Sequence, residues 1–230
     1  MKTTVDFNDF DITEYSLSYE WMKNNRAQLV NHSILESINF IEHPAIYTLG
    51  ANATKENILI SSNALKALNI KKIKVDRGGD VTCHSIGQVV VYPILNLKNR
   101  GIKPVEYVRM LEEIILSTLT KFNISGIRIN GSPGIWVGSQ KIAAIGISIK
   151  QGITTHGFSI NVNNDLSLFD YINACGIKNL EVISIKKIEN KSIDISKIKK
   201  IIADEFVSRL DIKDTGMHKI KLEKTLIRSI

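Results

Sequence analysis

Two residues of this 230-residue chain have side chains suited to covalent chemistry. The first is Cys175, in the segment Ala174-Cys175-Gly176-Ile177, where small neighbours leave the sulfur accessible and the backbone free, as a nucleophile requires. Free cysteine is, however, among the residue types most often buried in protein cores. An inert core thiol is therefore the other interpretation of Cys175.

The second is Lys141, which opens the apolar segment 141–146 (Lys-Ile-Ala-Ala-Ile-Gly). A lysine at this position can present its ammonium inside a pocket, and the small residues leave room beside the strand for an aliphatic ligand. The alternative is a lysine that extends into solvent from a strand end, with small residues packed under a helix.

A third candidate is the segment 77–84 (Arg-Gly-Gly-Asp-Val-Thr-Cys-His), which lies between two predicted strands. Paired glycines allow positive φ and close approach of a ligand to the backbone. The arginine can hold an anionic or carbonyl group, and the histidine adds a titratable donor or acceptor. The same pattern is also typical of a Gly-Gly hairpin turn with incidental polar residues.

The segment 154–163 alternates polar and apolar residues, which predicts a half-buried strand. His156, within it, fits either a structural or a site histidine. The chain has no phosphate-binding loop, dinucleotide fingerprint or His-Glu-x-x-His motif, and its five histidines are widely spaced. We therefore expect no metal site and no cofactor.

Composition limits the class of protein. A hydrophobic content of 43% supplies a core, and no apolar run approaches the roughly 20 residues that span a bilayer. Two cysteines exclude a disulfide scaffold and a zinc site built from cysteine alone, and the N-terminal residues lack a signal pattern, so we expect free thiols and a cytoplasmic location. The net charge of +7 favours an acidic partner, for which nucleic acid, anionic lipid and acidic proteins all qualify.

Helices and strands of mixed order should position these residues. Apolar spacing predicts helices over residues 14–30, 62–68, 104–121 and 194–210, and strands over 37–47, 71–76, 88–97, 126–130, 134–137, 141–149 and 153–162. Because strands and helices do not alternate regularly, we predict an α+β fold with substantial antiparallel sheet. We expect a single globular domain over residues 1–230, with a basic helical appendage from about residue 190.

Several of these segments, taken in order, resemble the lipoyl(octanoyl) transferase family. The matching segments are 43–50 (His-Pro-Ala-Ile-Tyr-Thr-Leu-Gly), 77–84, 87–93, 134–137 (Gly-Ile-Trp-Val), 141–146, 154–163 and 174–177. The resemblance covers roughly residues 40–180. It implies the fold of biotin and lipoate protein ligases, with a large mixed sheet and a smaller sheet flanked by helices, and a catalytic core of about residues 32–213.

The resemblance also implies an activity and its residues. Members transfer an octanoyl group from acyl carrier protein to a lysine of a lipoyl domain, in 2-oxoacid dehydrogenases or the glycine cleavage H protein, without ATP. By motif, Cys175 would form the acyl thioester and Lys141 would activate it. The implied substrate contacts are Arg77, Gly78, Gly79, Asp80, Val81, Thr82, Cys83, His84, Ala144, Ile145, Gly146, Gly157, Phe158 and Ser159.

The chain departs from the family pattern at two places. Cys83 replaces a usual aromatic residue, and Ser85-Ile86 replaces a usual Gly-Pro. We expect these changes to alter the turn after His84 and to reshape the mouth of the acyl pocket, and the sequence leaves the preferred acyl chain length open. Cys83 is also a candidate for oxidation, and Asp80 is expected to neutralise Arg77 in part. The alternatives are an ATP-dependent lipoate or biotin ligase, which needs no Cys175, and a nucleic-acid-binding module suggested by the charge. We expect neither nucleic acid nor membrane as a partner.

Overall fold

The computed structural model describes residues 3–31 and 33–222, which form two sheets and six α-helices. The strands are β1 (Thr4–Ile12), β2 (Glu36–Glu42), β3 (Ile46–Leu49), β4 (Lys71–Lys74), β5 (Val81–His84), β6 (Gln88–Ile94), β7 (Ile127–Ile129), β8 (Ser132–Val137), β9 (Gln140–Lys150), β10 (Ile153–Asn161) and β11 (Lys213–Lys219). The helices are α1 (Tyr15–Val30), α2 (Ser62–Ala67), α3 (Leu97–Arg100), α4 (Pro104–Thr120), α5 (Ile185–Glu189) and α6 (Ile195–Leu210).

The large sheet has eight strands in the order β11-β1-β2-β6-β10-β9-β8-β7, and the small sheet has the order β4-β3-β5. Parallel pairing joins β1 to both β2 and β11, whereas the pairs from β2 through β6, β10, β9 and β8 to β7 are antiparallel. The predicted α+β class, with a large mixed sheet and a smaller sheet, is confirmed.

Strand β6 lies at the centre of the large sheet and is buried along its whole length, as its β-branched apolar sequence predicts. Its side chains alternate between two cores. Val89 and Val91 belong to the core that contains α4 and α6, whereas Val90, Tyr92 and Ile94 belong to the core under α1. The sheet is therefore covered by helices on both faces.

Helix α4 begins at Pro104, where the missing N–H of proline leaves no intrahelical bond unmade. The carboxylate of Glu106 accepts the backbone N–H of Lys103 at 3.0 Å, which caps the helix start. Its apolar face, including Leu111 and Ile115, packs in the same core as Phe206 of α6.

The Lys-rich segment predicted from about residue 190 contains α6, which packs into the core rather than lying apart as an appendage. Ile198, Ile202 and Phe206 are fully buried. The buried ammonium of Lys199 donates to the carboxylate of Asp9 on β1 at 2.8 Å. Lysines alternate with core residues along this helix because only one of its faces meets the sheet.

Helices near 14–30, 104–121 and 194–210 are confirmed, and so are the strands of the middle segment. Strands β1 and β11 were not predicted. The alternative interpretation of segment 77–84 as a Gly-Gly hairpin turn is wrong. Strands β4 and β5 do not pair with each other, because β3 lies between them. Among the described residues, no helix is both long and apolar enough to cross a membrane.

Candidate active site

A cavity of about 460 Å³ lies between strands β9 and β10, the segment 77–84 and the turn that carries Cys175. Every residue that the sequence nominated for catalysis or substrate contact lines this cavity, with the exception of Cys83. Chain segments as distant as residues 77, 141 and 175 therefore meet at one place.

Cys83 lies outside the cavity because side chains alternate along β5. Thr82 and His84 face the cavity, whereas Cys83 is fully buried in the core of the small sheet beside Tyr47 and Phe169. Burial raises the pKa of the Cys83 thiol. Neither substrate contact nor ready oxidation fits this position, because a reactive thiol must be accessible and ionised.

Lys141 lies near the start of β9, where its backbone is hydrogen-bonded to the segment 181–183. Its backbone N–H donates to Glu181 O at 2.9 Å, and its carbonyl accepts the N–H of Ile183 at 3.0 Å. The side chain is 4% exposed, so the ammonium is inside the protein. It donates to the Sγ atom of Cys175 at 3.4 Å, which is the central contact of the site.

Cys175 is held in a left-handed backbone conformation, with φ 59° and ψ 16°. This conformation is uncommon for a residue with a side chain and persists only where the surroundings enforce it. Gly176 follows with φ 74°, and its N–H donates to Asn173 O at 2.9 Å. The resulting 3₁₀ turn presents a partly exposed sulfur to the cavity.

Hydrogen bonds link three polar side chains beside this turn, those of Asn57, Asp80 and Asn173. Asn57 donates to a carboxylate oxygen of Asp80 at 2.8 Å, and the amide of Asn173 donates to Oδ1 of Asn57 at 3.3 Å. A Cβ atom on Gly176 would lie 2.9 Å from Oδ2 of Asp80, so glycine permits the carboxylate to approach the turn. Asp80 thus braces the turn that carries Cys175. Within the described residues it forms no hydrogen-bonded ion pair with Arg77, although, against the larger lowering by burial, its negative charge raises the pKa of Arg77.

Arg77 is buried and joins the loop to the small sheet. Its guanidinium donates to the carbonyl and hydroxyl of Thr48, at 2.7 and 2.8 Å, and to its neighbour Gly78 O at 3.0 Å. A Cβ atom on Gly50 would lie 2.8 Å from Arg77 Nη1, and one on Gly146 would lie 3.0 Å from Arg77 Cδ. Burial lowers the pKa of Arg77, and negative charge on Tyr15 or Cys175 would oppose that shift.

The bottom of the cavity consists of aromatic and imidazole rings, those of Tyr15, His84, Tyr92 and His156. Nδ1 of His84 lies 2.7 Å from Oε1 of Gln88. Because the Gln88 amide nitrogen donates elsewhere, Nδ1 of His84 is the donor in this contact. Burial lowers the pKa of His84 to about 3, so the ring is neutral at pH 7.

His156 interrupts the regular geometry of β10 at the bottom of the cavity. Its φ of 57° interrupts the alternation of β10, so the four consecutive residues 156–159 all line the cavity. Nε2 of His156 lies 3.0 Å from Oδ1 of Asp76, and Nδ1 lies 3.3 Å from the hydroxyl of Tyr15. A neutral ring can donate to Asp76 and accept from Tyr15 at once.

The two ends of the cavity differ in chemistry. His156 pairs with Ile147 on β9, six residues along that strand from Lys141, which corresponds to about 20 Å. An extended eight-carbon chain spans at most about 10 Å, with seven bonds of about 1.5 Å. A medium-length acyl chain therefore fits between the Cys175–Lys141 pair and the Tyr-His bottom.

Several residues of the site had no signal in the sequence. Tyr15 of α1 and Asn57, in the 3₁₀ helix Lys55–Asn57, lie outside the selected segments, and Thr48 lies in segment 43–50 without a role that its motif indicates. Their types and spacing are ordinary, and only the tertiary structure brings them to the site. Within residues 3–31 and 33–222, no three His, Cys, Asp or Glu side chains are grouped to hold a metal ion.

A cysteine sulfur therefore lies next to a lysine side chain in the lining of one cavity, an arrangement that suits nucleophilic catalysis. Residues 16–207 match the family model described as the lipoyl protein ligase A/B catalytic domain. The chain belongs to this family, which confirms the resemblance seen in its motifs.

Curated relatives place the chain more narrowly. The octanoyltransferase of Pelobacter propionicus is 36% identical over 204 residues, covering 89% of this chain and 94% of the relative. The octanoyltransferase of Prochlorococcus marinus is 40% identical over 187 residues, covering 80% of this chain and 84% of the relative. Within its family, the chain therefore belongs with the octanoyltransferases.

Solved structures confirm the predicted biotin/lipoate protein ligase fold. Lipoate-protein ligase A bound with ATP superposes with a TM-score of 0.75 at 15% identity, covering 100% of this chain and 94% of the other. A bi-partite lipoate protein ligase from Thermoplasma acidophilum, studied with its E2 lipoyl domain, gives 0.70 at 14%, covering 98% and 91%. The biotin protein ligase of Aquifex aeolicus gives 0.54 at 8%, covering 90% and 70%.

Proposed function

We propose that this octanoyltransferase takes its acyl group from octanoyl-acyl carrier protein and delivers it to a lysine of a lipoyl domain, through a thioester on Cys175. The observation that carries the proposal is the 3.4 Å contact between Lys141 Nζ and Cys175 Sγ at the mouth of the acyl-sized cavity. The family membership supports octanoyl as the acyl group.

The first step is thioester exchange. The Cys175 thiolate attacks the carbonyl carbon of the donor thioester, a new C–S bond forms, and the thiolate of the carrier leaves and takes up a proton. One thioester replaces another, so this step needs no added energy source. The Lys141 ammonium favours the attacking thiolate by Coulomb attraction, because the thiolate is the reactive form of cysteine.

The second step is aminolysis. The neutral amine of the acceptor lysine attacks the acyl carbonyl, a C–N bond forms and the C–S bond to Cys175 breaks. The Lys141 ammonium gives a proton to the departing sulfur of Cys175, and the resulting amine takes up the proton that the attacking nitrogen loses, so that Lys141 ends the step protonated. Because an amide is more stable than a thioester, this step proceeds without ATP.

The substrate contacts proposed from the motifs have a consistent arrangement. Gly146 and Gly157 pair with each other and line the cavity, and a Cβ atom on Gly146 would lie 3.0 Å from Arg77 Cδ, so this glycine lets the Arg77 side chain lie against β9 beside the substrate. Gly78 and Gly79 are exposed and line the cavity, and the N–H of Gly78 donates to Ile147 O at 2.8 Å, so this loop lies along β9 where the substrate would be held. The net charge of +7 favours approach of acidic carrier and lipoyl domains.

The test is intact-mass analysis of the protein after mixing with octanoyl-acyl carrier protein. We expect the wild type to gain the mass of one octanoyl group and Cys175→Ala to gain none. Addition of a lipoyl domain should discharge the adduct onto the acceptor. Absence of an adduct on the wild type would contradict the thioester mechanism.

A second experiment distinguishes acyl transfer from ATP-dependent ligation. The protein is given free octanoate, ATP and a lipoyl domain, and the acceptor mass is measured. Acylation of the acceptor under these conditions, undiminished in Cys175→Ala, would mean that the chain works as an ATP-dependent ligase.

A further inference from the structure

The ammonium of Lys141 is buried without a counter-charge from a carboxylate. Among the described residues, no Asp or Glu oxygen lies within ion-pair distance of it, although its side chain is nearly excluded from solvent. A buried charge is strongly unfavourable unless neighbouring groups compensate for it. The Cys175 sulfur is one such neighbour, and it compensates only while it is a thiolate.

The indole ring of Trp136 is the second neighbour. Lys141 Nζ lies 5.2 Å from the centroid of this ring, within the distance at which an aromatic face attracts a cation. Trp136 and Lys141 face each other across β8 and β9, next to a register shift between Ile135 and Trp136. The irregularity sets the ring opposite the lysine.

The indole is present at this position despite an unmade hydrogen bond. Trp136 is 5% exposed, and its Nε1 atom has no hydrogen-bond partner among the described residues. A phenylalanine ring would occupy the same face of the strand without a buried unpaired N–H. Tryptophan is, however, the aromatic residue that binds a cation most strongly.

We propose that Trp136 is a positioning residue for the transfer reaction. Its ring holds the Lys141 ammonium against Cys175 Sγ and stabilises the cationic form that the thiolate requires. Trp136 does not line the cavity, so it acts through Lys141 and does not touch the substrate. The inference rests on the roles proposed above for Lys141 and Cys175.

The test compares Trp136→Phe, Trp136→Tyr and Trp136→Leu with the wild type at one fixed pH. The first readout is the rate at which iodoacetamide alkylates Cys175, located by peptide mass, because this rate requires no acyl donor and follows the thiolate. The second is the single-turnover rate of octanoyl transfer. We expect both rates to fall about 20-fold in Trp136→Leu and about threefold in the Phe and Tyr variants, with KM for the donor unchanged.

Trp21 provides the matched control, because it is also a buried tryptophan, 7% exposed. It belongs to α1 and packs on Phe10 in the core under that helix, which contains neither Lys141 nor Cys175. Trp21→Phe should leave both rates unchanged. Trp136→Phe and Trp21→Phe each remove part of a buried indole, so both should unfold at a lower denaturant concentration than the wild type, and only Trp136→Phe should also slow alkylation. A purely structural role for Trp136 would lower stability and leave the alkylation rate as it is.

The Lys141→Met variant shows whether a negative result contradicts the role of Trp136 or the proposed function itself. If Lys141→Met slows alkylation and the Trp136 variants do not, the role of Trp136 is wrong and the catalytic pair remains. If Lys141→Met also alkylates at the wild-type rate, the pair itself is wrong. Should Trp136→Leu fail to fold, wild-type rates in both the Phe and Tyr variants overturn the inference.

Discussion

Oδ1 of Asp76 lies 3.0 Å from Nε2 of His156, and this contact ties the loop that precedes Arg77 to the bottom of the cavity. The same carboxylate accepts from Tyr19 and Arg26 of α1, at 3.2 and 3.4 Å, and from Lys150 of β9 at 2.6 Å. Asp76 therefore joins a helix, two neighbouring strands and the start of the segment 77–84. The hydrogen bond from His156 holds the pKa of Asp76 well below its usual range.

We expect Asp76→Ala to lower the free energy of unfolding by about 2 kcal/mol, because hydrogen bonds to charged groups contribute about 1.5–3 kcal/mol each and solvent access moderates the loss. Urea denaturation measures this change. Lys71→Ala is the control, since Lys71 pairs with Glu14 at an exposed position and should change stability by less than about 1 kcal/mol. Equal effects of the two variants would show that Asp76 has no special role.

The buried histidines make the fold sensitive to acid. Burial lowers the pKa of His43 to about 4 and that of His84 to about 3, whereas histidine titrates near 6.5 in an unfolded chain. Below pH 6.5 the unfolded state binds more protons than the folded state. Stability is therefore complete above pH 6.5 and falls as the pH drops toward 3, by up to about 1.4 kcal/mol per pH unit for each neutral histidine.

Urea denaturation between pH 7.5 and pH 5 measures this slope. We expect His43→Gln to reduce the slope, because it removes one group that resists protonation in the folded state. His218 is exposed, and His218→Gln should leave the slope unchanged. A slope that is the same in all three proteins would contradict the assignment of neutral buried histidines.

The turn Ala174–Gly176, which carries Cys175, depends on Asn57, which contacts both Asp80 and Asn173. Removal of the Asn57 side chain should allow Cys175 to relax from its left-handed conformation, which stores about 1–3 kcal/mol. We expect Asn57→Ala to slow acylation of Cys175 about tenfold, as measured by single-turnover mass analysis. Asn99 of α3 is exposed, and Asn99→Ala should acylate at the wild-type rate. Unchanged acylation in Asn57→Ala would mean that the turn is held by other contacts.

Local patterns were sufficient to predict the elements that have strong apolar periodicity. Helix α4 combines a first-turn proline with an apolar stripe, and β6 is a long β-branched run, so each is specified by its own sequence. The motifs also brought Cys175, Lys141 and the segment 77–84 into one hypothesis before their distance was known. Their convergence at one cavity follows from the order of the strands.

Strand β11 could not be predicted, because Lys213–Lys219 is polar and becomes a strand only by pairing with β1. The motif at 77–84 is continuous, so it predicts a site position for Cys83 together with its neighbours. Side-chain alternation on β5 separates it from Thr82 and His84, and that alternation is visible only when the strand bounds are known. Asn57 lies in the 3₁₀ helix Lys55–Asn57, and its role depends on a long-range contact with Asp80 that has no local signal.

Gly134 sets the position of the Lys141 side chain. Its φ is 122°, and a Cβ atom at this position would lie 2.8 Å from Cε of Lys141 and 2.3 Å from the carbonyl oxygen of Ala143. Gly134→Ala must therefore push the lysine away from Cys175 or separate β8 from β9. We expect octanoyl transfer to fall at least tenfold, measured with the donor at saturation.

Gly138→Ala is the matched control, because Gly138 also has a positive φ, 58°, and a Cβ atom there would contact nothing within 4 Å. Both variants carry backbone strain, so a loss of stability is common to them. Only Gly134→Ala displaces the ammonium, and a similar loss of transfer in Gly138→Ala would assign the defect to strain instead.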